Sequence, residues 1–91
     1  MAVKVFFIAK IKDLNEEYKA MSKRIRELGE THPGFISITS EEIDDVEITV
    51  STWRSKDDVM DWANDAEHIE AKKRAKEWYH WVRGYHVEVN E

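Results

Sequence analysis

The N-terminal third of the chain has a strand-like run of hydrophobic residues followed by hydrophobic residues at helical spacing. Residues 3–11, VKVFFIAKI, are β-branched and aromatic with lysines between them, which is typical of a strand. The next segment predicts an amphipathic helix that begins after an Asp13 N-cap, with Glu16 at the capping-box position, and ends at Gly29. Its apolar residues recur at intervals of four and three residues, at Leu14, Tyr18, Met21, Ile25 and Leu28.

The middle of the chain has the pattern of two paired strands. A THPG segment at 31–34 precedes the β-rich run FISITS at 35–40. The acidic EEIDD at 41–45 then separates this run from VEITVSTW at 46–53. Two β-rich runs joined by a short polar segment predict a hairpin, with EEIDD at its tip.

The last third of the chain predicts a broken helix followed by a strand. Ser55 and Asp58 repeat the capping pattern before a second helical region, and Asp65 is placed to cap a restart after a kink near 64–66. The tail, roughly 81–89, alternates again, with one side formed by Trp81, Arg83, Tyr85, Val87 and Val89.

The predicted element order is therefore βαββαβ, and we expect a single domain that spans residues 1–91. This order predicts a ferredoxin-like α+β fold, a four-stranded antiparallel sheet with helices on one face. We expect the helix-free face to carry Phe6, Ile8, Phe35 and Trp53. Because such an apolar face would be exposed in a monomer, we also expect a homodimer.

Composition and charge narrow the range of partners. The 91 residues carry 19 acids and 14 bases, and this net charge of −5 gives no electrostatic reason to expect nucleic acid or an anionic membrane. Without cysteine, the chain has no disulfide, thiolate metal site or thiol nucleophile. Lys4, Lys10 and Lys12 interrupt the N-terminal apolar run, which is too short for a signal segment or a membrane span. We expect a soluble, cytoplasmic protein.

Candidate chemistry centres on the segment from Trp62 to Trp81. On a helix over 66–78, one face is shared by His68, Ala71, Ala75 and Trp78. One interpretation is a pocket in which the alanines leave room, Trp78 forms a wall and His68 moves a proton. The other is a helix that uses alanines to approach the sheet closely, with His68 hydrogen-bonded to backbone.

Three further groups have both a functional and a structural interpretation. Trp62 and Asn64 can meet His68 across the kink, where an amide and an indole would orient a phenol or carbonyl. Equally, Trp62 can be core and Asn64 a cap, and Trp53 either binds substrate or packs in a dimer. An anionic or phenolic ligand could be anchored by Tyr79 and Arg83, which also suit the solvated or interface side of a strand. The sequence contains no HExxH, phosphate loop, nucleophile elbow or calcium loop, so no metal is expected.

Several of these segments in combination resemble the antibiotic biosynthesis monooxygenase family. The resemblance covers about residues 3–89 and rests on HPGFISITS, ITVSTW, WANDAEHIEA and WYHWVRGYHVEV. It implies a dimeric α+β barrel with a pocket between helices and sheet in each subunit. It also implies oxidation of a small planar phenol or quinol by molecular oxygen without metal, flavin or other cofactor. The family's site residues carry over to Trp62, Asn64 and His68. The residue pattern described above adds four candidate substrate-binding residues, Trp53, Trp78, Tyr79 and Arg83.

A related branch of the fold degrades haem, and the sequence departs from its pattern. That branch uses an asparagine in the first strand and an axial histidine farther along the second helix. Here the first strand has no asparagine, and Lys72 stands where the axial ligand would be. Haem degradation is therefore disfavoured. Two functions stay open: a cofactor-independent monooxygenase, and a non-catalytic dimer that binds or detoxifies a small aromatic compound.

Overall fold

A computed structural model describes residues 2–89, which form four strands and three helices. In chain order these are β1 (Ala2–Ile11), α1 (Glu16–Glu30), β2 (Phe35–Ile43), β3 (Val46–Trp53), α2 (Lys56–Ala63), α3 (Ala66–Trp78) and β4 (Tyr79–Val89). None of these helices, within the part of the chain described, is long and apolar enough to cross a bilayer.

The strands form one antiparallel sheet in the order β2-β3-β1-β4. The helices pack on one of its faces, and the second helical region is split into α2 and α3 at the predicted kink. The predicted ferredoxin-like α+β fold is therefore confirmed.

Helix capping agrees with the sequence at two sites and differs at one. The Asp58 amide donates to Ser55 Oγ at 3.2 Å, and the Glu67 amide donates to Asp65 Oδ1 at 2.9 Å. The first helix, however, begins after Asn15, whose Oδ1 accepts from the Tyr18 amide at 2.9 Å. Asp13 is therefore not the cap, because the chain leaving β1 continues for two more residues before it turns into α1.

Gly29 allows two helices to approach closely, and α1 does not end there. The helix continues to Glu30, and Thr31 caps it. A Cβ on Gly29 would lie 3.3 Å from Trp62 Nε1, tighter than ordinary van der Waals contact. The Trp62 indole N–H donates to the carbonyl of Ile25 at 3.1 Å. Gly29 therefore leaves the space in which Trp62 of α2 docks against α1.

The hairpin turn is shorter than the acidic segment suggested. Asp44 and Asp45 have φ angles of 49° and 64°, the left-handed pair that two-residue hairpin turns use. Residues 41–43 continue β2 and pair with β3, so the tip consists of the two aspartates.

The strand register changes which side chains face the helices. Trp53 pairs with Val3 and with Phe35, and all three lie on the helix-covered side. A bulge between Phe35 and Ser37 breaks the simple alternation along β2. Our placement of Phe35 and Trp53 on the helix-free face is therefore wrong. That face instead carries Phe6, Ile8, Ile48, Val50, Trp81, Tyr85 and Val87.

Two clusters of buried side chains lie at opposite ends of the helix-covered face. One contains Val3, Trp53 and Val59, and the other contains Ala9, Trp78 and Tyr79. Since Val3 and Ala9 are six residues apart on β1, the clusters are separated by about 20 Å along the strand. The space between them is the cavity described next.

Candidate active site

A cavity of about 550 Å³ lies between the helices and the sheet. This volume is within the range of small-molecule sites, about 300–1,000 Å³. Every helix and strand contributes to its lining, which is mainly apolar and includes Val5, Phe7, Met21, Ile25 and Val82. The cavity can therefore enclose a small aromatic molecule.

One end of the cavity is formed by Trp62 and His68. Their ring centroids are 4.4 Å apart and the rings meet edge to face. His68 Nδ1 lies 3.2 Å from the carbonyl oxygen of Trp62. A carbonyl can only accept, so Nδ1 carries the hydrogen and Nε2 of the neutral ring keeps its lone pair. The α2–α3 break, which brings the end of α2 against the first turn of α3, thus fixes the tautomer of His68.

Burial lowers the pKa of His68 below its ordinary value of 6.5, and the nearby positive charge of Lys72 adds to this effect. The Trp62 carbonyl and the Asp65 carboxylate oppose the shift without reversing it. Lys72 is itself held by a 3.2 Å hydrogen bond to the carbonyl of Ala63. At neutral pH, His68 is therefore uncharged and able to accept a proton at Nε2.

The other end of the cavity contains a hydrogen-bonded cluster of Tyr18, Glu47 and Tyr79. Tyr79 Oη donates to Glu47 Oε2 at 3.0 Å, and Tyr18 Oη donates to Glu47 Oε1. Burial raises the pKa of both phenols, and the hydrogen bond to Glu47 raises that of Tyr18 further. Both tyrosines are therefore hydrogen-bond donors at neutral pH. The sequence did not single out Glu47, and it placed Tyr18 among the apolar residues of the first helix. The signal for Glu47 was its position on the same side of β3 as the polar residues Thr49 and Ser51.

Four of the seven predicted site residues line the cavity: Trp62, His68, Trp78 and Tyr79. Trp78 is 3 % exposed and meets the Tyr18 ring edge to face at 5.5 Å. Its indole N–H has no hydrogen-bond partner among the described residues and is shielded from solvent. Trp78 is therefore an apolar wall and does not offer a hydrogen bond to the cavity.

The other three predicted site residues lie outside the cavity lining. Trp53 is fully buried behind Trp62, with ring centroids 4.8 Å apart, so our expectation that it packs in a dimer is wrong. Asn64 is exposed and ends α2, which matches the capping role considered from the sequence. Arg83 of β4 pairs with Ile8 of β1, so its side chain lies on the same helix-free face as that of Ile8 and points away from the cavity.

Acidic and histidine side chains form no candidate metal site in the part of the chain that the structure describes. Within residues 2–89, no group of three or more is arranged to hold a metal ion. His86 also lines the cavity, but it lies on the exposed edge strand β4.

Comparison with known proteins assigns the chain to a family. Residues 7–89 match the family described as a domain of unknown function, DUF3291. The chain belongs to the DUF3291 family. Over 73 residues it is 34 % identical to the uncharacterized protein YqjZ of Bacillus subtilis (strain 168). The match covers 79 % of this DUF3291 chain and 62 % of YqjZ, so the chain spans less than two thirds of that relative's length.

Solved structures share the fold at low sequence identity. SnoaB from Streptomyces nogalater, a cofactor-independent oxygenase, matches with a TM-score of 0.81 at 11 % identity, over 99 % of this chain and 94 % of SnoaB. A candidate antibiotic biosynthesis monooxygenase from Nitrosomonas europaea matches with a TM-score of 0.81 at 13 % identity, over 97 % and 89 % of the two chains. The DUF3291 chain therefore has the fold of the monooxygenase family that its sequence resembles.

Proposed function

We propose that this DUF3291 domain is a cofactor-independent monooxygenase that oxidises a small planar phenol or quinol with molecular oxygen. The observation that carries the proposal is the aromatic-walled cavity with a neutral, oriented His68 at one end. Its fold is that of SnoaB, a cofactor-independent oxygenase, which supports the same class of reaction.

The proposed reaction begins with a proton transfer. His68 Nε2 accepts the phenolic proton, and Trp62 and Trp78 hold the planar ring. The resulting phenolate is electron-rich enough to pass an electron directly to oxygen. In an anthrone-type substrate a CH₂ group becomes C=O, and its two hydrogens leave with the second oxygen atom as water. The protein's contribution is therefore to orient the ring, deprotonate it and exclude bulk water.

The cavity can be blocked without altering any polar group. Gly84 of β4 lines the cavity, and a Cβ built on it meets no other atom within 4 Å. Its φ is not in the positive range, so larger residues are sterically permitted on the backbone. We expect wild type and Gly84→Ala to consume oxygen with anthrones or hydroquinones. In Gly84→Trp the rate should fall by about tenfold or more, because the indole would occupy cavity space that the substrate needs, and a poor fit in an apolar pocket costs at least that much.

The same samples separate the enzyme from the alternative. Binding is followed by quenching of tryptophan fluorescence, and oxygen uptake by an oxygen electrode. Binding that Gly84→Trp abolishes, with no oxygen consumed by wild type, would favour the non-catalytic binder of aromatic compounds. Absence of both signals across the panel would contradict both functions.

We propose further that the domain forms a homodimer through the helix-free face. Large apolar side chains are exposed there, with Trp81 at 41 % and Tyr85 at 52 %. Sedimentation at micromolar concentration should give twice the 10.8 kDa of one chain. Tyr85→Glu should weaken the dimer by about tenfold or more, since it places a charge in an apolar interface. Met60→Glu, a similarly exposed apolar residue on α2, should not. A monomer in wild type would contradict this assembly.

A further inference from the structure

The carboxylate of Glu47 is not used by the reaction proposed above. It lies on β3, six residues before Trp53, so it is separated by about 20 Å of strand from the core that backs Trp62 and His68. Side chains from both ends reach into the same cavity. A molecule in the cavity is therefore bounded by the imidazole of His68 at one end and by the Glu47 cluster at the other.

Glu47 retains capacity to accept further hydrogen bonds. Each of its oxygens accepts one hydrogen bond, from Tyr18 and from Tyr79, which is the arrangement of an ionised carboxylate. A carboxylate provides about four lone-pair sites, so two remain after these two bonds. Glu47 is half-buried, and both tyrosines also line the cavity. A donor on a bound ligand can thus complete the hydrogen bonding of Glu47.

The negative charge of Glu47 is not neutralised by a neighbouring cation. Its hydrogen-bond donors are two neutral phenols, and among residues 2–89 no lysine, arginine or histidine forms an ion pair with it. In a mainly apolar cavity this charge attracts hydrogen-bond donors and repels anions. It also favours placing a substrate phenolate at the His68 end, away from the carboxylate.

We infer that Glu47 determines substrate class. The ligand carries one phenol at the His68 end and a second hydroxyl, which donates to Glu47, at the far end. Aromatic compounds with a carboxylate at that far position are rejected. This inference rests on the proposed function in taking an aromatic compound as the occupant of the cavity.

The test compares ligands that differ only at the far end. The probes are 2,6-dihydroxynaphthalene, 6-methoxy-2-naphthol and 6-hydroxy-2-naphthoic acid, together with the corresponding anthracenes, so that two ring lengths are covered. Affinity is measured by isothermal titration calorimetry. At the better-fitting length, wild type should bind the diol about tenfold tighter than the ether, as expected for a hydrogen bond to a charged group, and the acid most weakly.

Glu47→Gln assigns this selectivity to the carboxylate. The diol preference should fall to about threefold or less, because the acceptor becomes neutral, and binding of the acid should improve. Glu30→Gln removes the same charge at an exposed position at the end of α1 and should leave all ratios unchanged. If Glu47→Gln does not fold by circular dichroism, Glu47→Asp retracts the carboxylate by one methylene. It should lower the diol preference while still excluding the acid.

Equal binding of diol and ether by wild type at both ring lengths would overturn the inference. So would an unchanged diol preference in the folded Glu47 variant. Calorimetry reports binding alone, so the inference and the proposed function can fail separately. A Glu47-dependent preference without oxygen uptake would refute the monooxygenase and leave the ligand class standing. Oxygen uptake without the preference would do the reverse.

Discussion

Replacing His68 with glutamine should lower the rate of oxygen consumption by about 10²–10⁴-fold, the usual contribution of a positioned general base. Glutamine can still bond the carbonyl of Trp62, so α2 and α3 should keep their packing. It cannot accept a proton at neutral pH, whereas Nε2 of His68 can. Binding of the substrate should therefore change far less than the rate.

The pH dependence provides a second signature of the same base. Only neutral His68 accepts a proton, so the rate should rise with pH through the pKa of His68 and reach a plateau. Because burial and Lys72 hold that pKa below 6.5, wild type should already be on the plateau at pH 7. Lys72→Met removes one cause of the shift, so the acidic limb should move to higher pH, while burial and Asp65 stay as they are.

The control is the second histidine of the cavity. His86→Gln makes the same exchange on the exposed edge strand and should keep most of the rate. Steady-state oxygen uptake between pH 5 and 9 gives both readouts. An unchanged rate in His68→Gln, or an acidic limb that does not move in Lys72→Met, would contradict the role of His68 as base.

Local patterns in the sequence were sufficient for the fold. The capping pattern at Ser55 and Asp65 placed both halves of the broken helix, and alternating apolar residues placed the strands. Each of these signals acts over a few residues, so it can be interpreted without knowing what packs where. His68, Trp62 and Trp78 could also be selected from local patterns, because their positions in the predicted helical region place them on the side that faces the sheet.

The faces of the sheet could not be assigned from local patterns. Thr49 and Ser51 are polar, and a polar side of a strand normally faces water. Here both residues face the helices, on the same side of β3 as Trp53, and they line the cavity. The rule of apolar inside and polar outside failed at this strand because the interior holds a cavity, and polar side chains of β3 form part of its otherwise apolar lining.

The Glu47 cluster could not be predicted because it depends on long-range contacts. Tyr18 is on α1 and Tyr79 begins β4, and each reaches Glu47 from about 30 residues away in sequence. Only the register of β1 with β3, and the docking of α1 over it, brings the three side chains together. In sequence, Glu47 is one more acid in an acidic stretch.

Trp53 carries the largest predicted effect on stability. Trp53→Ala should lower the free energy of unfolding by about 3–5 kcal/mol, the usual cost of removing a buried tryptophan. The indole has no exposed surface, packs against the rings of Trp62, Phe35 and His32, and donates to Ser51 Oγ at 2.9 Å. Removing it leaves a cavity and a buried hydroxyl without its partner. In a domain whose total stability is about 5–15 kcal/mol, this is a large fraction.

Urea unfolding followed by circular dichroism measures this loss, and Trp81→Ala is the matched control. Trp81 is an equally large residue on the helix-free face, 41 % exposed, so its removal should cost about 1 kcal/mol or less in the monomer. Both variants are compared at dilutions where sedimentation shows monomers, so that subunit contacts do not contribute. Equal losses would mean that Trp53 is not the centre of this core. If only Trp53→Ala loses stability, this variant should also bind ligand more weakly, because Trp62 and His68 would lose the ring that supports them.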